Sequence, residues 1–167
     1  MKTSNPIEVR ESQDWAWALQ LMHDMREKVT DDASAKAMWQ TPGELEGRPD
    51  LQLLEVWNGQ RVGAFVLHYT GPGVADVHTM LTVGGSKAIK AGAAMLEYVF
   101  RQSGRDRVTG RCPGNNPAIL HYAKLNGCRV VGHKADWVKH GKRFVSTYVE
   151  LTKEEFIANQ ARKQLCQ

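Results

Sequence analysis

The dipeptide Asn58-Gly59 stands between two runs that read as strands, 51–57 (LQLLEVW) and 61–69 (RVGAFVLHY). Asparagine and glycine tolerate the positive φ angles of a tight hairpin turn, so this is the strongest short-range pairing signal in the chain. A second turn, Thr70-Gly71-Pro72-Gly73, leads into a third run, 74–83. The three predict an antiparallel meander. At Gly84-Gly85-Ser86 the hydrophobic period then changes from two to that of a helix.

The flanking segments complete the order. A short strand is expected at 7–10, followed by a helix capped by Asp14 and carrying Trp15, Ala18, Leu19, Met22 and Met25 on one face. A second helix is expected over 32–40 and a loop over 41–50. Beyond the meander, 87–100 reads as a helix burying Ile89, Ala93, Leu96, Tyr98 and Phe100. A strand follows at 107–112, and then a helix from Asn116 to Asn126 that stops at Gly127. Two strands, 129–138 and 143–151, meet at His140-Gly141-Lys142, and a basic amphipathic helix begins near Thr152. The expected architecture is a single α/β domain over 1–151 with a tail helix over 152–167. It has three layers: a mixed, twisted sheet with helices on both faces. The strand at 107–112 is expected beside 74–83 and parallel to it, because a helix crosses between them.

With 167 residues, 42% hydrophobic and 24% charged, the chain can bury a core without disulfide or metal staples. Cys112, Cys128 and Cys166 are odd in number and widely spaced, which suits a reducing compartment and suggests no metal site. The opening residues lack an apolar stretch, and no apolar run reaches the ~20 residues of a membrane span. A cytoplasmic location, without a membrane partner, is the expectation. The net charge of +4 is concentrated late, from Arg101 through Arg143. Such a surface either holds an anion or is simply a solvated face. No Walker loop, HExxH motif or nucleophile elbow occurs.

A meander running into a glycine-bearing loop and helix, then a strand, then a helix closed by glycine, resembles the GNAT (acyl-CoA N-acyltransferase) superfamily over nearly the whole chain. The resemblance implies acetyl-CoA as co-substrate, with its pyrophosphate held by backbone amides at a helix N-terminus, where the dipole favours an anion. The family loop Q/R-x-x-G-x-G/A is worn here. Gly92 and Ala94 can take the G-x-G/A places, which leaves Ile89, or Ala88 in the adjacent register, where a basic residue belongs. Val83, Gly84, Gly85, Ser86, Lys87 and Lys90 form an alternative cradle, with Ser86 as N-cap; the other reading is a turn without a ligand. The second signature, N-x-x-A-x-x-x-Y, fits Asn115 to Tyr122. Counting back from Gly127 instead makes Asn116 the family asparagine and puts Ala123 at the tyrosine place.

Through the resemblance, Tyr122 becomes the candidate acid that protonates the coenzyme thiolate, and Asn116 joins the coenzyme site. The family draws its base from the third meander strand, where Asp76, His78 and Met80 share a face, so Asp76 and His78 join the catalytic candidates. His68, across the turn, is expected to face His78. No metal is expected. The implied function is transfer of an acetyl group from acetyl-CoA to a primary amine of a small molecule or protein, in a protein that could be a homodimer. The degenerate loop and Val77-His78 also resemble bacteriophage-encoded members. The alternative is therefore a protein without catalysis that binds phage or host proteins in head assembly. A toxin-type enzyme acting on charged tRNA is a third reading; it lacks the arginine-bearing loop, and nucleic acid is not the expected partner.

Overall fold

The structure is a computed structural model that describes residues 5–37 and 41–166. Seven strands form one sheet in the order β1-β2-β3-β4-β5-β7-β6. They are β1 (Glu8–Ser12), β2 (Leu51–Trp57), β3 (Arg61–Gly71), β4 (Val74–Leu81), β5 (Arg107–Cys112), β6 (Arg129–Lys139) and β7 (Lys142–Thr152). Neighbours are antiparallel except β4 and β5, which run parallel as expected. The meander is present in full, with Leu54 opposite Phe65 and Ala64 opposite Met80. Its first turn occupies 58–60, where Gly59 has φ +79°.

Helices cover both faces. One face carries α1 (Trp15–Asp24), the short α2 (Arg26–Val29) and α3 (Asp32–Ala37), and α4 (Pro42–Leu45). The other carries α5 (Gly85–Glu97), α6 (Pro117–Leu125) and α7 (Lys153–Leu165). Alternation along the strands sorts the side chains. Leu53, Ala64 and Met80 pack with Trp15, Ala18, Leu21 and Leu45 on the α1 side. Leu54, Phe65, Leu67 and Ala75 pack with Ala91, Leu96, Val99 and Phe100 on the α5 side. Asp14 caps α1 by accepting from the Trp17 amide at 3.2 Å, and its second oxygen takes the Arg61 guanidinium at 2.7 Å.

Several expectations are corrected. The segment 41–50 contains helix α4: Pro42 suits a first helical position, and the Glu44 carboxylate accepts from the Thr41 amide. The helix expected over 32–40 is described as far as Ala37; 38–40 lie outside the described residues. Helix α5 opens at Gly85, two residues before the expected start. It ends in a π-helical turn, Tyr98–Gln102, closed by Ser103 N–H donating to the Tyr98 carbonyl. Ile89 and Ala93 are only half-buried, whereas Ala91 is buried in the core beneath the sheet and Gly92 is buried where α6 approaches closely. The β6 edge strand is interrupted by register shifts at Val130/Gly132 and Lys134/Trp137.

Helix α7 docks through Phe156, 4% exposed, whose ring lies 5.0 Å from that of Phe100. A capping box between Thr152 and Glu155 fixes its start. Phe156→Ala should therefore destabilise the whole domain by about 3–5 kcal/mol, measured as a lower denaturant midpoint with an unchanged slope.

Candidate functional site

The sheet forks between β4 and β5. These strands share only three rungs, Val74–Arg107, Ala75–Val108 and Asp76–Thr109. Beyond the third rung β4 stays paired to β3 as far as Leu81, and β5 stays paired to β7 as far as Cys112. The facing backbone edges of β4 and β5 thus part company. Unpaired strand edges inside a domain need water or a ligand to satisfy them. The fork opens toward the start of α5, because only residues 82–84 separate β4 from that helix.

At that helix start, Gly84 is the N-cap with extended backbone, and Gly85 follows with φ +57°, a conformation glycine adopts without strain. Ser86 is consequently inside the first turn, and no side chain caps the helix, which corrects its expected capping role. The first-turn amides remain free of side-chain caps, and Lys87 and Lys90 are exposed beside them. Val83 is partly buried against the core. Gly92 lies elsewhere. It sits two turns into α5 and faces α6, where an added Cβ would come within 2.5 Å of the Tyr122 hydroxyl and 2.6 Å of Asn126 Nδ2. Asn116 is the N-cap residue of α6, without a side-chain capping bond.

The structure brings Tyr122 and Gly92 together at the seam of α5 and α6. The Tyr122 hydroxyl is buried and has no hydrogen-bond partner among the described residues. Burial, with a smaller contribution from the Cys128 thiol, raises its pKa and keeps it protonated. Burial likewise pushes the nearby Cys112 and Cys128 thiols up to about 11.

On the opposite face of the fork lie Asp76 and His78. His78 Nε2 is 3.4 Å from Asp76 Oδ2, and its side chain is 62% exposed. The expected meeting of His68 and His78 is corrected by the register: His68 stands opposite Asp76, and His78 opposite Val66. His68 lies 3.4 Å from Asp50 instead.

The same face carries a polar cluster that sequence reasoning missed. Thr109 donates to Asp76 Oδ1 at 2.8 Å. Arg111, two residues along β5, donates to Asp31 at 3.1 Å and to Asp136 at 3.0 Å, and its guanidinium stacks over Trp137 at 4.9 Å. Burial opposes ionisation of Asp136, but bonds from Ser146, Tyr148 and Arg111 outweigh it and hold the pKa at about 2. In sequence Arg111 was one basic residue among many. Its face becomes readable only once the rung between Asp76 and Thr109 is known. Other late basic residues are also paired: Arg101 with Glu97, Arg129 with Glu150 and Glu155, and Lys139 with Glu27. Much of the basic surplus therefore lies in ion pairs rather than in an open anion surface. The described residues contain no group of His, Cys, Asp or Glu suited to a metal, and no described helix is long and apolar enough to cross a membrane.

A forked mixed sheet of this order, with a helix N-terminus at the fork, is the GNAT fold, and solved structures of that fold superpose on the chain. A mutant of the spermidine N-acetyltransferase SpeG from Vibrio cholerae matches with a TM-score of 0.73 at 11% identity, covering 90% of this chain and 96% of that one. The Vibrio cholerae spermidine N-acetyltransferase in complex with CoA and spermine matches with a TM-score of 0.72 at 13% identity, covering 90% and 98%. Another mutant form of SpeG reaches 0.75 at 11% identity, covering 92% and 98%. No protein-family model matches the sequence, and no curated protein matches it.

A buried hydroxyl without a partner costs about 1–3 kcal/mol. Tyr122→Phe should therefore stabilise the ligand-free protein by about 1 kcal/mol, read as a rise in melting temperature. Adding a methyl at the same seam, Gly92→Ala, should destabilise it by about 1–2 kcal/mol despite the better helix propensity, because the clash with Tyr122 outweighs that gain.

Proposed function

We propose that this protein is an acetyl-CoA-dependent N-acetyltransferase that acts on a primary amine. The fork carries the reading. It leaves one edge of β4 free to bond the amide groups of an extended pantetheine arm, and it leads to a helix N-terminus suited to an anion. Solved proteins of the same fold include spermidine N-acetyltransferases, one of them in complex with CoA. In this reading Val83 to Lys87, with Lys90, cradle the pyrophosphate. Gly92 contributes by letting α6 approach α5 closely, and Asn116 borders the fork at the start of α6. The protein is read as a cytoplasmic enzyme. A binding-only phage protein of the same fold gains no support from the site or from the solved structures.

The chemistry assigned to the site is direct transfer. His78, oriented toward Asp76, takes a proton from the incoming ammonium. The freed amine attacks the thioester carbonyl carbon, a C–N bond forms, and the C–S bond breaks as the electron pair leaves on sulfur. Tyr122 donates a hydrogen bond to that sulfur. Because burial raises its pKa, it is a weak acid, and its contribution is stabilisation of the developing thiolate rather than early proton release. The nitrogen sheds its remaining excess proton as the amide forms, the sulfur takes one up and leaves as the thiol, and His78 returns its proton to water.

Two measurements test the reading. Acetyl-CoA at a hundredfold excess over its dissociation constant should stabilise the protein by about 2.7 kcal/mol. The double substitution Lys87→Glu and Lys90→Glu should weaken binding at least about tenfold with no loss of stability, since both side chains are exposed. Thiol release from acetyl-CoA, assayed over a panel of primary amines that includes spermidine, should find an acceptor. Tyr122→Phe should then lower kcat about 10²-fold at nearly unchanged coenzyme affinity. The absence of any thermal shift at millimolar acetyl-CoA would overturn the proposal.

A further inference from the structure

The last rung joining the two halves of the sheet is also the place where the polar chain begins. Asp76 and Thr109 are directly paired there, and their side chains meet on the same face: Thr109 Oγ1 donates to Asp76 Oδ1 at 2.8 Å. The other carboxylate oxygen, Oδ2, is the one that faces His78 Nε2 at 3.4 Å. His78 stands two residues further along β4, past the point where β5 has turned away. The three side chains form a line from the vertex of the fork to its mouth.

We infer that Thr109 is a positioning residue for the proposed transfer, acting through Asp76 to hold the His78 imidazole. The inference rests on the reading of His78 as the base. A carboxylate that is 30% exposed has two oxygens and a free torsion, so it needs an anchor if one oxygen is to stay aimed at a neighbour. Among the described residues, Thr109 is the only side chain that donates to Asp76. Every other polar group around it is engaged elsewhere. On β3, His68 lies against Asp50. On β5, the Arg111 guanidinium is divided between Asp31 and Asp136. On β7, the Tyr148 hydroxyl donates to Asp136 on β6. With Oδ1 held by Thr109, Oδ2 is kept on the Nε2 side of the ring, 3.4 Å away, and Nδ1 is left to take the proton from the amine. Threonine supplies this anchor without adding a charge, and its β-branch suits a strand.

Thr109→Val keeps the shape and removes the hydroxyl, Thr109→Ser keeps the hydroxyl, and Asp76→Asn removes the charge. Two readouts are taken on the full chain. The first is the chemical shift of the His78 ring protons, followed by NMR without substrate at one fixed pH. The second is the rate of acetyl transfer from acetyl-CoA to whichever amine the wild-type protein accepts. For Thr109→Val, the ring signals should move toward those of Asp76→Asn, and kcat should fall about tenfold with the KM for acetyl-CoA unchanged, a fraction of what a general base contributes. Thr109→Ser should restore both. A Thr109→Val protein whose ring signals match wild type would overturn the inference, whatever its rate. If the ring signals move but no amine is acetylated by the wild-type protein, Thr109 still positions His78 and the reading of the site as a transferase fails.

Discussion

Three rungs of parallel pairing join the two parts of the sheet, which are drawn from different halves of the chain. On one side are β1 to β4, and on the other β5, β7 and β6. The pairing is short enough to leave a fork and secure enough to keep its two edges at a fixed separation. The features of the site follow from that vertex. Its position sets where β4 is free to bond a ligand, where the α5 amides point, and which residues of β4 and β5 share a face. Helices α5, α6 and α7 back one side of the vertex with apolar contacts, and the Arg111 cluster ties the other side to the N-terminal helices through Asp31. The cluster acts as a buttress. Asp31 is buried and Arg111 and Asp136 are half-buried, and the three are bonded to one another, so no isolated charge is left inside the domain.

The two sides of the fork solve different physical problems. The seam between α5 and α6 is dry and tightly packed, with glycine at position 92 because Tyr122 leaves no room for a side chain. An unpartnered hydroxyl in such a place is a loss to the folded state that a bound partner would recover. The opposite side is wet, lined by carboxylates, imidazole and threonine, and suited to a cation that must lose a proton. That division, an apolar wall where sulfur would leave and a polar wall where an amine would arrive, is what the proposed reaction needs.

Much of this was legible before any coordinates. The meander could be read because Asn58-Gly59 and Pro72-Gly73 mark its turns and because alternation assigns each strand a face. The neighbouring, parallel placement of β5 followed from the helical crossover, and the fold resemblance from the element order. What stayed hidden was register across that crossover. A tight turn fixes the rung on which two strands meet, whereas a long helical connection leaves it free. Nothing in the sequence could therefore say that Thr109 lies beside Asp76, or that Arg111 belongs to this face. The meeting of His68 and His78 failed because it lies two residues out of the register the turn sets: past the bulge between Tyr69 and Gly71, His68 stands opposite Asp76 and His78 opposite Val66. Gly92 read as part of a phosphate loop because glycine spacing alone cannot distinguish a ligand contact from a helix contact. The early start of α5 settles where the residue sits.

The edge strand β6 exposes Arg129, His133 and Lys134, whereas Lys139 is buried against Thr30, and its ladder to β7 is broken twice, near Val131 and again before Trp137. A growing aggregate needs a straight edge with evenly spaced amides and carbonyls, and it needs approaching strands that do not repel. This edge is interrupted by register shifts at two points, so a second copy that came alongside would not find the geometry for continued pairing. Exposed valines such as Val130 and Val131 therefore sit at a rim of the sheet that offers no straight run on which strands could stack.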